Sequence, residues 1–366
     1  DWSSDVCSSD LDDMATTLKD VARQAGVSHT TCSAALRGLP NVSPRTRKKV
    51  LAAAQALHYN TNLSARMLRS NHSGLISFVV PDLSPTYYSM LSVELAREAT
   101  SAGMQLVVQQ SQHSASEENS IIGSALSSLA DGFFVAPVAH YADEDLSMLI
   151  GDKPAVILGD FTQTTRYDRV KSPNSEGVNS AIQHLRQQGC TSIGIVGGMT
   201  DDKEADIPEG SSVLTLQGLR MHAAMDALAD LYHENRESIV NERLIDVGWN
   251  SDEGIRAANL FMEAGMPYDG LFCLDDEIAL GMLHGLHEAG VRVPEQVKII
   301  GFNGIRHSAI STPTLSTVEV DLPGMASAVV SLLRRRIEHP DVETLPQKVT
   351  VGTILRARES TAAGNV

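Results

Sequence analysis

From Ser73 onward, continuous apolar runs of strand length alternate with segments of helix length, and no other feature constrains the fold as tightly. The runs cover residues 75–80, 104–108, 132–138, 155–158, 192–197, 243–247, 270–274 and 297–302. Most are separated by predicted helices at 87–102, 114–129, 176–188, 216–232, 252–264 and 277–289, several of them closed by glycine at 103, 189, 265 or 290. Runs that are apolar throughout are buried on both faces, so the pattern specifies parallel sheets covered by helices. About 230 residues of this alternation exceed one typical domain and divide into two α/β lobes. The main irregularity is a polar, acidic stretch at 199–214 containing Pro208 and Gly210, which reads as a loop.

Open parallel sheets bind ligands at the C-terminal ends of their strands. Asp82, Asp160, Trp249, Asp275, Asp276 and Asn303 stand there, and Tyr87 opens the first helix of this region. Carboxylates and amides exchange hydrogen bonds with hydroxyl groups, and an indole offers a flat face to the apolar side of a ring. That inventory suits a sugar or similar polyol. Each residue taken singly also serves as a helix cap or turn former, Asp275 and Asp276 before Glu277 most plainly, and only their joint placement argues for a site.

The net charge of −16 is unevenly distributed. Residues 14–72 hold nine Lys or Arg (Lys19, Arg23, Arg37, Arg45, Arg47, Lys48, Lys49, Arg66, Arg69) against Asp20 alone, or +8. Residues 1–13 carry −5 and the remainder −19. A basic head on an acidic body points to a polyanion at one end only. Residues 1–13 have neither the basic start nor the apolar core of a secretory signal and read as non-native leader sequence. With no apolar run of the ~18 residues needed to span a membrane, and scattered cysteines (Cys7, Cys32, Cys190, Cys273) that fit reduced thiols, the expected location is cytoplasmic.

The head reads as three short helices. Leu18, Val21, Ala22 and Ala25 form an apolar stripe behind an N-terminal Thr17/Asp20 pair, and Gly26 can take the positive φ that ends the helix. A second helix follows Ser28, with Cys32, Ala35 and Leu36 inward and His29, Thr30, Ser33 and Ala34 outward. Ser43-Pro44 opens a third, running to about residue 58 and burying Val50, Leu51, Ala54 and Leu57. This is the layout of a helix-turn-helix, whose second helix presents short polar side chains to base edges. Ser28, His29, Thr30 and Thr31 supply them, while Arg45, Arg47, Lys48 and Lys49 gather where phosphates would lie.

These residues resemble the headpiece of the lactose/galactose repressor (LacI/GalR) family. The resemblance lies in Thr17-Leu18-Lys19-Asp20-Val21-Ala22, Ala25-Gly26-Val27-Ser28, Thr31-Cys32-Ser33 and Val42-Ser43-Pro44-x-Thr46-Arg47, with Asn62-x-x-Ala65-Arg66-x-Leu68 similar to its hinge helix. It implies a headpiece at 14–60, a hinge at 61–73 and, at 74–366, a two-lobed periplasmic-binding-protein-like body. It also implies a homodimeric, DNA-binding repressor on a pseudo-palindromic operator, controlled by a small effector. By resemblance, His29 and Thr30 read bases, Ala34 makes a methyl contact or none, and Leu68 is a wedge in the minor groove. With Thr17, Ser28, Thr31, Ser33, Arg45, Arg47, Lys48, Asn62 and Ala65 they form the expected DNA-contacting set. Cys32 replaces a valine and behaves as a small hydrophobe. In the body the family's ligand-binding arginine would fall at Thr215, three before Gly218; Asp275 replaces an asparagine and Asn303 an aspartate. The expected effector set is Asp82, Tyr87, Asp160, Thr215, Trp249, Asp275, Asp276 and Asn303.

No GxSxG elbow, phosphate-binding GxxxxGK[ST] loop, GxGxxG after a strand or HExxH occurs. His284-x-x-His287 lacks a third metal ligand and His233-Glu234 stands alone. An enzyme, a metal and a cofactor are therefore not expected. Two rivals remain: a solute-binding protein for transport, opposed by the basic head, and a global regulator whose body binds a partner protein.

Overall fold

The computed structural model describes residues 16–36, 41–57, 72–138, 143–159, 166–198, 216–340, 342 and 345–362. The chain divides into two compact units, the first ending at Ser73 and the second starting at Gly74.

The first unit contains α1 (Leu18–Ala25), α2 (His29–Leu36) and α3 (Pro44–Ala56). The Asp20 carboxylate accepts from the Thr17 N–H at 3.0 Å and from the Thr17 hydroxyl at 2.5 Å, tying off the start of α1. Gly26 ends α1 at φ 65°, a left-handed conformation that costs glycine little. Two residues later Ser28 Oγ accepts from Thr31 N–H at 3.1 Å and starts α2. Ser43 caps α3 in the same way, with Pro44 in its first turn. The core is Leu18, Val21, Ala22, Ala25, Cys32, Ala34, Ala35, Val42, Val50, Ala53 and Ala54.

Two expectations are corrected here. Ala34 faces this core at 5% exposure, so it leaves the outward set. Leu51 is 50% exposed and Ala53 takes its place inside. The small side chains of α2 let the three helices approach closely, but they leave the inward face of α2 weakly marked in the sequence.

The second unit holds two six-stranded sheets. The first lobe has strand order β11-β5-β4-β3-β1-β2, from β1 (Leu75–Val80), β2 (Gln105–Gln110), β3 (Gly132–Val135), β4 (Ala155–Leu158), β5 (Asp168–Lys171) and β11 (Lys348–Thr350). The second has order β12-β10-β9-β8-β6-β7, from β6 (Ile193–Val196), β7 (Leu244–Ile245), β8 (Gly270–Cys273), β9 (Lys298–Asn303), β10 (Ser316–Val320) and β12 (Thr353–Arg356). Every pairing is parallel except β10 with β12.

The helices are α4 (Thr86–Ser101), α5 (Ala115–Ile122), α6 (Ala125–Leu129), α7 (Asp143–Ile150), α8 (Asn174–Gln187), α9 (Leu216–Tyr232), α10 (Arg236–Arg243), α11 (Ser251–Glu263), α12 (Asp276–Glu288) and α13 (Leu322–Glu338). The predicted helix at 114–129 is broken at Gly123 and Ser124, where Ser124 caps a new start.

The chain passes between lobes three times. It leaves β5 for α8, which packs on the second sheet; it leaves β10 for α13, which packs on the first; and it returns from β11 to β12. The three passages are tied together: Val351 N–H donates to Lys171 O at 2.9 Å and Asp321 N–H to Gly352 O at 3.1 Å. Adjacent crossings of this kind are the segments that absorb closure in two-lobed folds.

Buried Cys32, Cys190 and Cys273 are held as protonated thiols, burial pushing Cys190 up to about 11 and raising the other two. Such thiols are poor nucleophiles, in keeping with Cys32 acting as a small hydrophobe. No helix among the described residues is long and apolar enough to cross a membrane.

Candidate functional site

In the first unit Ser28, His29 and Thr30 are exposed at the N-terminal end of α2, with Thr31 and Ser33 half-buried behind them. The tight turn at Gly26 places this end at the surface while Cys32 and Ala35 anchor the opposite face. Arg45, Lys48 and Lys49 are exposed along the first turns of α3 and Arg47 is half-buried beside them. Thr17 is exposed at the start of α1. Short donors and acceptors at one helix end, flanked by mobile cations, match what a major groove and its phosphates require. Asn62, Ala65 and Leu68 lie outside the described residues.

In the second unit a polar cluster assembles where strands β8 and β9 end. Its centre is Arg220 on α9, only 2% exposed. Its guanidinium donates to Leu274 O at 2.6 Å, Asn303 Oδ1 at 3.0 Å and Asn174 Oδ1 at 3.3 Å. It lies 3.9 Å over the Phe302 ring and 6.0 Å from the ring of Trp249. Burial lowers its pKa, opposed by Asp275 and the nearby Tyr87.

Asn303 closes β9 at φ 103°, a left-handed value that asparagine tolerates better than most residues, and this turns its amide toward Arg220. Its Nδ2 donates to Asp275 Oδ2 at 2.5 Å, and Asp275 Oδ1 caps α12 by accepting from Glu277 N–H at 2.8 Å. Two of the positions that depart from the family pattern therefore touch, and the exchange of amide and carboxylate keeps one of each in the pair. Burial pushes the Asp275 carboxyl up to about 6, held back by Arg220 and the Glu277 N–H.

Asp276 faces the protein instead. It is fully buried, Oδ1 accepting from Thr317 Oγ1 at 2.6 Å and Oδ2 from Ile305 N–H at 2.9 Å and Ser308 Oγ at 2.8 Å. A side chain at residue 301 would come within 2.1 Å of Asp276 Oδ1, so glycine there makes room for the carboxylate. Asp276 thus fixes α12 against β9 and β10, and its oxygens are occupied by protein donors. Burial pushes it up to about 7.

Trp249 donates from Nε1 to Gly198 O at 2.6 Å, leaving its face half-buried beside Arg220. From the first lobe, Tyr87 donates to Met325 Sδ at 3.6 Å and meets Tyr88 edge-on, with ring centroids 5.2 Å apart. Burial pushes Tyr87 up to about 12 and raises Tyr88, with Arg220 pulling both back. Asp82 accepts from Ser84 N–H at 2.9 Å; burial works upward on it, but the Ser84 and Leu83 donors and His113 hold its carboxyl low. The structure brings together Trp249, Asp275, Asn303 and Tyr87; Asp160 and Thr215 lie outside the described residues.

Arg220 is the residue that sequence reasoning missed. Counting back from Gly218 selects Thr215, whereas the arginine the structure places in the cluster is Arg220, two residues after that glycine and off the motif spacing.

Comparisons with known proteins bear on both sites. A family model described as bacterial regulatory proteins, lacI family, matches residues 17–62, and one described as a periplasmic binding protein-like domain matches 182–361. Catabolite control protein A of Staphylococcus epidermidis is 30% identical over 345 residues, covering 92% of this chain and 98% of that protein. The HTH-type transcriptional regulator AscG of Escherichia coli is 29% identical over 345 residues, covering 93% and 97%. The lac repressor dimer bound to operator and the anti-inducer ONPF shares the fold at TM-score 0.74 and 21% identity, covering 95% of this chain and 99% of that one. The complex of the transcriptional regulator CelR with cellobiose aligns at TM-score 0.64 and 24% identity, covering 94% and 99%.

Proposed function

The chain belongs to the LacI family of bacterial transcriptional regulators, with a DNA-binding domain and no enzymatic role, and from that premise we propose that it is a homodimeric repressor released or engaged by a sugar-like effector. The reading divides the chain into a headpiece at 14–60, a hinge at 61–73 and an effector-binding and dimerising body at 74–366. Residues 1–13 stand outside all three.

Each head presents Ser28, His29, Thr30, Thr31 and Ser33 to a major groove, while Thr17, Arg45, Arg47 and Lys48 hold phosphates. Asn62, Ala65 and Leu68 engage the minor groove. One head makes few base contacts, so two heads on a pseudo-palindromic operator are needed for affinity.

The effector lies between the lobes, against Arg220, Trp249, Asp275 and Asn303 on one side and Asp82 and Tyr87 on the other, with Asp160 and Thr215 as further contacts. Asp276 holds α12 in place and does not touch ligand. The observation that carries this reading is the buried guanidinium of Arg220 beside an indole face, a carboxylate and an amide. Such a set hydrogen-bonds hydroxyls and covers a sugar's apolar face. The cellobiose bound to CelR and the ribose bound to an Enterococcus faecium LacI-family regulator support a carbohydrate. Ligand acts on DNA only insofar as it binds the open and closed bodies differently.

A thermal-shift screen of sugars and nucleosides on the full chain, followed by operator mobility shifts with each hit, tests the reading. It expects a sugar that raises Tm and changes operator affinity. Hits confined to non-carbohydrates would refute the effector class.

A further inference from the structure

A side-chain contact between the lobes has no part in the effector set above. Thr86 is the first residue of α4 on the first lobe, and Glu277 is in the first turn of α12 on the second. Thr86 Oγ1 donates to Glu277 Oε1 across the gap. Both residues are half-buried.

The local sequence explains why the bond forms between lobes. The residue before α4 is Pro85, which has no side-chain acceptor, and α4 has no side-chain cap of its own. A helix start without a cap leaves N–H groups unsatisfied and carries partial positive charge. On the other lobe α12 is already capped by Asp275, so the Glu277 carboxylate is not needed there. It reaches across to the uncapped end of α4 and takes the Thr86 hydroxyl. Carboxylate, hydroxyl and helix dipole reinforce one another only while the lobes are shut.

We infer that Thr86 and Glu277 form an interlobe clasp, a pair of positioning residues that holds the body closed before any effector arrives. The clasp sets the resting ratio of closed to open bodies, and with it the fraction of the apparent effector affinity that closure consumes. The inference rests on reading the body as a hinged sensor.

The test measures lobe separation in the full-length chain without ligand. Spin labels go on the exposed positions Asp152→Cys in the first lobe and Glu263→Cys in the second. Cys7→Ser removes the cysteine that lies outside the described residues, while Cys32, Cys190 and Cys273 are buried. Pulsed electron paramagnetic resonance then reports closed and open populations. Thr86→Val and Glu277→Ala should each lower the closed-to-open ratio roughly three- to tenfold, the range for an ordinary intramolecular hydrogen bond. The double variant should open no further than either single, and Thr86→Ser should restore the parent distribution.

Unchanged distances in both single variants, or additive opening in the double, would overturn the clasp. A chain that opens as expected, yet whose operator affinity ignores every sugar tested, would leave the clasp standing and refute the effector reading instead.

Discussion

Replacing Arg220 with methionine removes the centre of the polar cluster while keeping most of the side-chain volume. Two buried acceptors, Leu274 O and Asn303 Oδ1, lose donors at 2.6 and 3.0 Å. Each stranded acceptor costs about 1–3 kcal/mol. The guanidinium stacked 3.9 Å over Phe302 is lost as well, worth up to about 2 kcal/mol where desolvated. Against this, the cost of burying the guanidinium disappears, and a thioether packs well against Phe302.

Desolvation offsets part of the loss, leaving the body destabilised by about 3 kcal/mol, near the low end for breaking a buried charged network. For a body of this size that lowers Tm by roughly 6 °C. Asp275 also loses its nearest positive neighbour, 4.0 Å away, so its carboxyl moves further above about 6. Thermal unfolding of the full chain reads the lost stability, and a loss of the sugar-induced Tm shift reads the lost effector contact. Operator binding without effector should survive, because the head has a core of its own. Arg220→Lys, which keeps the charge but cannot span three acceptors, should fall between. A methionine variant that melts with the parent and still responds to sugar would refute the placement of Arg220 at the centre of the site.

Leu68→Ala should weaken operator binding by tenfold or more, the equivalent of about 1.5–3 kcal/mol for one buried leucine, and leave the sugar-induced Tm shift intact; mobility-shift and thermal-shift titrations read the two. Lys48→Ala should flatten the plot of log affinity against log salt by about 1.8, because each of two heads loses one phosphate contact; an unchanged slope would remove Lys48 from the phosphate set. Burial gives Asp276 a folded pKa of about 7 against 3.8, so its contribution to stability is complete below 3.8 and is lost as pH rises toward 7. Burial lowers His184, which bonds Thr361 Oγ1 at 2.7 Å, so its contribution is complete above 6.5 and is lost as pH falls through its folded pKa. Urea midpoints across pH should lose the first slope in Asp276→Asn and the second in His184→Gln.

Local physics made much of this legible in advance. Helices α8, α11 and α12 begin and end within about two residues of the predicted bounds, the expected uncertainty of helix ends, because caps and terminal glycines state those ends locally. The three-helix head was readable for the same reason. Ala34 was misplaced because α2 is built from small residues, whose faces differ little in polarity. Strand β5 is only four residues long and three of them, Asp168, Arg169 and Lys171, are charged, so no apolar run announced it.

The three passages between lobes are long-range choices that no local window contains. They decide that α13 covers the first sheet although it follows a strand of the second. Asp276 and Asp275 are adjacent and chemically alike, yet one turns into the protein and the other toward Asn303. That distinction needed the room left by Gly301, which only the packed structure reveals.

The central claim is that α2 of each head reads duplex sequence. Repeated selection of randomised duplexes by the full-length chain tests it most directly, at moderate salt and both with and without a sugar that shifts Tm. Two inverted half-sites should be enriched, with a yield that changes when the sugar is present and disappears for a His29→Ala, Thr30→Ala variant. Recovery of duplexes with no shared sequence, at a yield the double substitution leaves unchanged, would contradict it.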